Sequence, residues 1–300
     1  MNTATRPEWK PGSAPVAVVM ISLNEGHNME AVLANLAGWA QEVFLVDSFS
    51  VDETVDIALR HGVHVVQRPF RGFGDQWNFA LRELPITSPW TMKLDPDERL
   101  DTRLKDSLAA VMQKNNPDVT GISVVRRLWF MGRRMGVRQR LLRMWRTGTA
   151  VFTNVSVNEH PIVTGTIVDA AGELIHYDSP DLDHWFEKQN RYSTAEAIIA
   201  YRKTALSGHA RIFGTTFERR MWIKRNYYSI PFGSLWLFLY YLIGQGAWRA
   251  GRVGRIWSHL RCDIMRYRNY KRFEMTLTGR EPLPLPRGMG VADSRVQQFE

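Results

Sequence analysis

The sequence predicts an α/β fold, with a mainly parallel central sheet flanked by helices and a basic helical C-terminal extension. Three observations predict it. Apolar, β-branched runs of strand length alternate with stretches of helical spacing, and each run ends on polar residues. The charge also changes sign along the chain: residues 1–120 hold 11 basic and 16 acidic side chains (net −5), whereas residues 121–300 hold 28 and 14 (net +14). Strand–helix–strand alternation needs helical crossovers between parallel strands, and ligands then bind beyond the carboxyl ends of those strands.

The first strand is the run VAVVMISL at 16–23, the second VFLVD at 43–47 and the third VHVV at 63–66. Between them, apolar residues at 29, 32, 33 and 36, and then at 55, 58 and 59, have helical spacing, with Gly38 and Gly62 as stops. A third helix over 75–83 carries Trp77, Phe79 and Ala80 and ends before Pro85. WTMKL at 90–94 is a fourth strand, and Pro96, with no N–H for a ladder, stops it. Residues 121–146 read as a strand and hairpin with eight arginines and no acid from Arg126 to Arg146. A loop containing Asn158, Glu159 and His160 follows, and then a helical pattern over 183–203 with Trp185, Phe186, Tyr192, Ala195 and Ile199.

Composition narrows the class. With 300 residues, 44% hydrophobic and 23% charged, the chain is neither disordered nor collagenous nor a disulfide miniprotein. The single cysteine, Cys262, provides neither an internal bridge nor a metal cluster, which predicts a reducing compartment and a cytoplasmic location. Residues 1–15 lack the apolar stretch of a secretory signal and read as a disordered lead-in.

The acidic pair Asp95 and Asp97 is the sharpest chemical feature. On an extended backbone residues i and i+2 project to one side, so both carboxylates would address one divalent cation and a sugar-nucleotide ribose, and oxygen ligands favour Mg²⁺ or Mn²⁺. A solvated acidic turn is the bland alternative. Asp47, Ser48 and Asp52, after the second strand, are placed to hydrogen-bond a nucleobase and ribose. Ser50 with Glu53 equally fits a helix capping box, and Asn24, beside Glu25, equally fits a helix cap.

The segments MISLNEGHN, VDSFSVDET, FRGFGDQWNFAL and KLDPDE, in that order, resemble the nucleotide-binding half of family-2 glycosyltransferases. They are most similar to the branch of lipopolysaccharide-core glucosyltransferases and exopolysaccharide enzymes. The likeness continues through RRLWFMGRR, RLLR, VNEH and HYDSPDLDHWFEKQNRYSTAEA, to about residue 203. Phe49, Val51, Glu53 and Pro96 depart from the pattern. The resemblance implies a GT-A fold, a nucleotide-diphospho-sugar donor, a divalent metal and single displacement with inversion. It implies a catalytic domain over 16–205, with 16–120 its nucleotide-sugar half and 121–205 its acceptor half.

On that resemblance Asp97 is the metal ligand and Asp95 serves ribose or metal. Asn24, Glu25, Gln76 and Asn78 belong to the donor side, and Arg140 and Arg143 are candidates for the diphosphate, because guanidinium binds phosphate bidentately. Glu159 is the candidate base for the acceptor hydroxyl. His160 and His176 are further candidates for the metal or the closing of the donor site.

Residues 206–280 then form a basic, aromatic extension and 281–300 a flexible tail. The run from Ile230 to Trp248 contains no charge, yet Pro231, Gly233, Gly244 and Gly246 interrupt it. It reads as an interfacial helical segment meeting the inner face of the membrane through Trp236, Phe238, Tyr240, Tyr241, Arg249 and Arg252. A buried helix or an oligomer contact is the alternative. A rival of another class, a basic adaptor for membranes or nucleic acid that merely keeps the fold, has no requirement for Asp95, Asp97 or Glu159. No nucleic-acid motif occurs among the basic residues. A nucleotidyltransferase would need a glycine-rich loop after the first strand, and there is none.

Overall fold

The computed structural model describes residues 12–153, 160–202, 213, 218–219, 222 and 232–282. In chain order the first half runs β1 (Ala14–Ser22), α1 (Gly26–Leu36), β2 (Ala40–Asp47), α2 (Thr54–Arg60), β3 (His64–Gln67), α3 (Phe73–Glu83), β4 (Trp90–Lys93), β5 (Glu98–Leu100) and α4 (Thr102–Lys114). Then come β6 (Val119–Phe130), β7 (Arg133–Arg146), β8 (Ala150–Phe152), β9 (Pro161–Val163), β10 (Thr166–Asp169) and β11 (Leu174–Tyr177). The helices α5 (Leu182–Tyr201), α6 (Gly233–Leu239) and α7 (Gly251–Thr278) follow, with a π-helical turn Tyr240–Gly244 and a 3₁₀ turn Ala247–Ala250 ahead of α7. The described chain divides into two compact units. One holds residues up to 127, 138–153 and 160–177, and the other holds 128–137 and the described residues from 178 onward.

In the first unit the strands order as β3-β2-β1-β4-β7-β6-β11-β5, with β10 beside β6. β1 pairs parallel with both β2 and β4, and β4 meets β7 antiparallel. Alternation along β1 explains burial on both faces. Val16, Val18 and Met20 enter one layer with Met29, Leu33 and Leu36 of α1 and Leu104 and Leu108 of α4. Ala17 and Val19 enter the other, with Trp77 and Ala80 of α3 and Phe152 of β8. β4 ends at Lys93, before Pro96, as the sequence predicts. The β6–β7 hairpin turns through Met131 (φ 48) and Gly132 (φ 67), consecutive left-handed residues whose twist suits a two-residue hairpin.

In the second unit Leu128, Phe130 and Met135 of the hairpin tip pack with Trp185, Ala247 and Trp257. Leu237 of α6 packs on Cys262 and Met265 of α7. Burial raises the Cys262 thiol to about 11, which makes it an inert core group. α7 lies so close to the 3₁₀ turn that a Cβ on Gly254 would fall 1.8 Å from the Ala247 carbonyl oxygen. Gly254→Ala is therefore expected to cost about 1–3 kcal/mol of unfolding free energy. A urea midpoint equal to that of the parent would remove this account of the glycine.

Candidate active site

β1 and β2 end side by side, with Ser22 in register with Asp47. The Asp47 carboxylate is fully buried and accepts from Ser22 Oγ (2.8 Å), the Ser50 N–H (2.8 Å), Ser50 Oγ (2.5 Å) and Gln67 Nε2 (3.0 Å). These four bonds fill its acceptor positions, so Asp47 organises the loop. The loops after β1 and β2 are laced together: the Asn24 N–H donates to Ser50 Oγ, the Val51 N–H to Asn24 Oδ1, the Glu25 N–H to Thr54 Oγ1 and the Gly26 N–H to Asp52 Oδ2. Burial opposes the charge on Asp52, but hydrogen bonds from Thr54 and Gly26 outweigh it and hold its carboxyl below the usual range.

Neither capping role holds in the structure. Ser50 and Glu53 form no capping box, because α2 starts at Thr54 with no side-chain cap and Ser50 is engaged with Asp47. Asn24 does not cap α1 either; the cap position is Glu25, and Asn24 holds the neighbouring loop with its own backbone at φ 57.

On α3, Gln76 is fully buried, and its Nε2 donates to Ser48 Oγ (3.2 Å) while its Oε1 meets no partner among the described residues. Asn78 makes a two-way amide clasp with Phe152, donating to its carbonyl (3.0 Å) and accepting from its N–H (2.8 Å). Trp77 is a core residue, stacked on Phe152 with ring centres 5.4 Å apart. The buried Lys93 sets its Nζ over both rings, 4.5 Å and 5.3 Å from their centres.

The carboxylates after β4 are turned, not extended. The Glu98 N–H donates to the Asp95 carbonyl (2.9 Å), closing a turn across Pro96 and Asp97, and the two aspartates therefore meet different partners. This corrects the reading that an extended backbone sets them on one side. Asp95 Oδ2 accepts from Arg143 (2.9 Å), whereas Asp97 Oδ2 lies 3.2 Å from His176 Nε2. β11 pairs antiparallel with β5, and the Tyr177 N–H donates to the Asp97 carbonyl, which brings His176 here from 79 residues away.

Glu98, fully buried, underlies the turn. It accepts from Arg143 (2.5 Å), Arg126 (3.3 Å) and the Asp95 N–H (3.1 Å). Loss of water opposes the charge on Asp95, but Arg143 and Lys93 outweigh that and hold it at about 2. For Glu98, burial together with the Asp95 charge outweighs Arg143 and Arg126 and raises its carboxyl.

Of the arginine pair, only Arg143 reaches the acidic turn; Arg140 is exposed and paired with Asp169. A spacing of three along a strand sets two side chains on opposite faces, and that parity was readable in the sequence. Arg126 and Lys93 are the residues that sequence reasoning missed. The backbone of His160 pairs with Thr153, and Glu159 lies outside the described residues.

Asp97 and His176 offer one oxygen and one nitrogen ligand to a divalent ion. No group of three or more His, Cys, Asp or Glu occurs among the described residues. A pair still fits Mg²⁺ or Mn²⁺ at a phosphate site, where substrate oxygens and water complete the shell.

In the second unit, Trp236 is 60% exposed, but its neighbours are engaged within the protein. Phe238 stacks on His259 (4.4 Å), Tyr241 meets Trp257 edge-on (5.4 Å) and the Tyr240 hydroxyl accepts from Gln245 (2.6 Å). The Arg249 guanidinium lies 5.3 Å from the Trp248 ring centre. No helix among the described residues is long and apolar enough to cross a membrane.

Residues 17–168 match the family model described as Glycosyl transferase family 2. A lipopolysaccharide core biosynthesis glycosyltransferase, LpsC, of Rhizobium meliloti (strain 1021) is 27% identical over 253 residues, which is 81% of this chain and 86% of that one. An uncharacterized glycosyltransferase of Rickettsia conorii is 26% identical over 61% of this chain and 69% of its own length. Among solved structures, Staphylococcus aureus TarS 1–349 in complex with UDP-GlcNAc aligns at TM-score 0.42 and 16% identity, over 92% of this chain and 99% of that one. Glucosyl-3-phosphoglycerate synthase from Mycobacterium tuberculosis, with Mn²⁺, UDP and phosphoglyceric acid, aligns at TM-score 0.32 and 21% identity, over 38% of this chain and 44% of that one.

Proposed function

Since the chain belongs to glycosyl transferase family 2, with the family match covering just over half of its length, we propose that this glycosyltransferase moves a sugar from a nucleotide-diphospho-sugar to a glycan or glycolipid of the cell envelope. The transfer is a single displacement with inversion, carried out on the inner face of the cell membrane. The observation that carries this reading is the turn at 95–98, where Asp97 meets His176 and Asp95 meets Arg143. It stands at the carboxyl end of a strand paired with β1, where ligands of open α/β sheets bind. The envelope acceptor is supported by the lipopolysaccharide core relative and by the basic second half.

In this reading the laced loops after β1 and β2, with Ser48 and Gln76 beside them, receive the nucleoside. The orphaned Gln76 Oε1 is an acceptor awaiting a donor there. Asp97 and His176 hold the divalent ion, which when bound supplies positive charge to the departing diphosphate. Arg143 presents a fixed guanidinium from β7, and the ionised Asp95 keeps it in place. Glu159 takes the proton of the acceptor hydroxyl.

The test is nucleotide diphosphate release from a panel of nucleotide-sugars, with Mn²⁺, Mg²⁺ or EDTA, in the presence of membrane lipid extract. Release from one donor, abolished by EDTA, is expected. If no donor supports metal-dependent release or incorporation into lipid, the reading fails.

A further inference from the structure

Between Phe232 and Arg272 there are eight basic residues and one acid, Asp263, which is engaged with Arg266 at 2.9 Å. A groove of about 450 Å³ opens here, with Leu242 and Ile256 on its apolar lining, Trp248 beside them, and Arg252, Arg255 and His259 from α7. The spacing 252, 255, 256, 259 sets these four on one face of the helix. Both arginines are exposed, and neither has an ion pair or hydrogen bond among the described residues. No carboxylate lines the groove among the described residues. Trp248 is 55% exposed, so its amphipathic ring faces solvent on the same lining as the two arginines.

We propose that this groove receives the phosphate-bearing headgroup of an anionic membrane lipid. Arg252 and Arg255, one turn apart, hold the phosphate oxygens, as paired guanidinium groups do. Trp248 lies at headgroup level, where an indole favours the interface, while Leu242 and Ile256 meet the first carbons beneath. A second copy of the chain fits poorly, because a two-fold contact would set the same arginines against one another. The inference rests on the membrane reading above and makes it specific. The groove anchors the enzyme through one lipid class, beyond a diffuse attraction of basic residues.

The experiment is co-sedimentation of the full chain with phosphatidylcholine vesicles, with and without phosphatidylglycerol, comparing the parent with Arg252→Glu/Arg255→Glu and with Trp248→Ala. Binding that depends on phosphatidylglycerol is expected, weakened about tenfold or more by the double reversal and less by the tryptophan change. Thermal unfolding of both variants checks that the fold persists. If the parent binds neither vesicle, the membrane reading itself falls. If it binds and the double reversal binds equally well, only the groove is overturned. Displacement by inorganic phosphate, beyond that by chloride of equal ionic strength, would assign the site to free phosphate. A dimer in light scattering that the reversal dissolves would assign the face to a second copy.

Discussion

Replacing Asp97 with asparagine is expected to lower sugar transfer by about a thousandfold or more, the scale of losing a charge that acts where the leaving group develops. The substitution is nearly isosteric and leaves the turn intact, since the hydrogen bonds that shape it, from Glu98 to the Asp95 carbonyl and from Tyr177 to the Asp97 carbonyl, are made by backbone. The loss should therefore be one of chemistry and not of fold. Calorimetric titration with nucleoside diphosphate separates the two: the parent should bind more tightly with Mn²⁺ than with EDTA, and the variant should bind alike in both. Turnover within tenfold of the parent would remove Asp97 from the reaction.

Arg143→Met is expected to destabilise the protein by about 3–5 kcal/mol at neutral pH, because it strands the charge of a fully buried glutamate. Arg126 remains near Glu98, but at 3.3 Å against 2.5 Å it is the weaker partner. The pH dependence has a definite sign. Burial already raises the Glu98 carboxyl, so the folded state holds a proton at pH values where the unfolded chain has released it. Removal of Arg143 raises that carboxyl further and frees Asp95 from its lowered value, so the deficit should be largest at neutral pH and shrink as acid protonates both. Adding Glu98→Gln to the variant should restore most of the stability yet none of the transfer. Urea unfolding across the acid-to-neutral range, beside activity, checks both parts. A deficit that does not change with pH, or that Glu98→Gln fails to relieve, would show that Glu98 is not the stranded charge.

The strands β1 to β4 and helices α1 to α3 were legible because each carries its own period. Apolar runs close on polar ends, Gly62 takes the positive φ that ends α2, and Pro96 lies beyond β4 where a ladder donor is missing. β5 was not legible. Glu98–Leu100 is three residues long and begins with two charges, and it becomes a strand only through β11. The site divides in the same way. Asp95, Asp97 and Arg143 stand out by residue type and order, but the partnership of Asp97 with His176 and of Glu98 with Arg143 is tertiary, with no local signature. Asp47 stands at a strand end, where residue type alone suggests a ligand, and only the packed loop reveals that its oxygens meet Ser22, Ser50 and Gln67.

The pairing of β11 with β5 also sets when Asp97 and His176 can meet. A ribosome releases the acidic turn long before it releases His176, and a nascent chain ending anywhere between them carries Asp97 with no imidazole beside it. Closing a connection of that length comes late in folding, since its entropy must be met before the contact forms. Asp97 and His176 are thus kept apart until nearly the whole first unit has been synthesised.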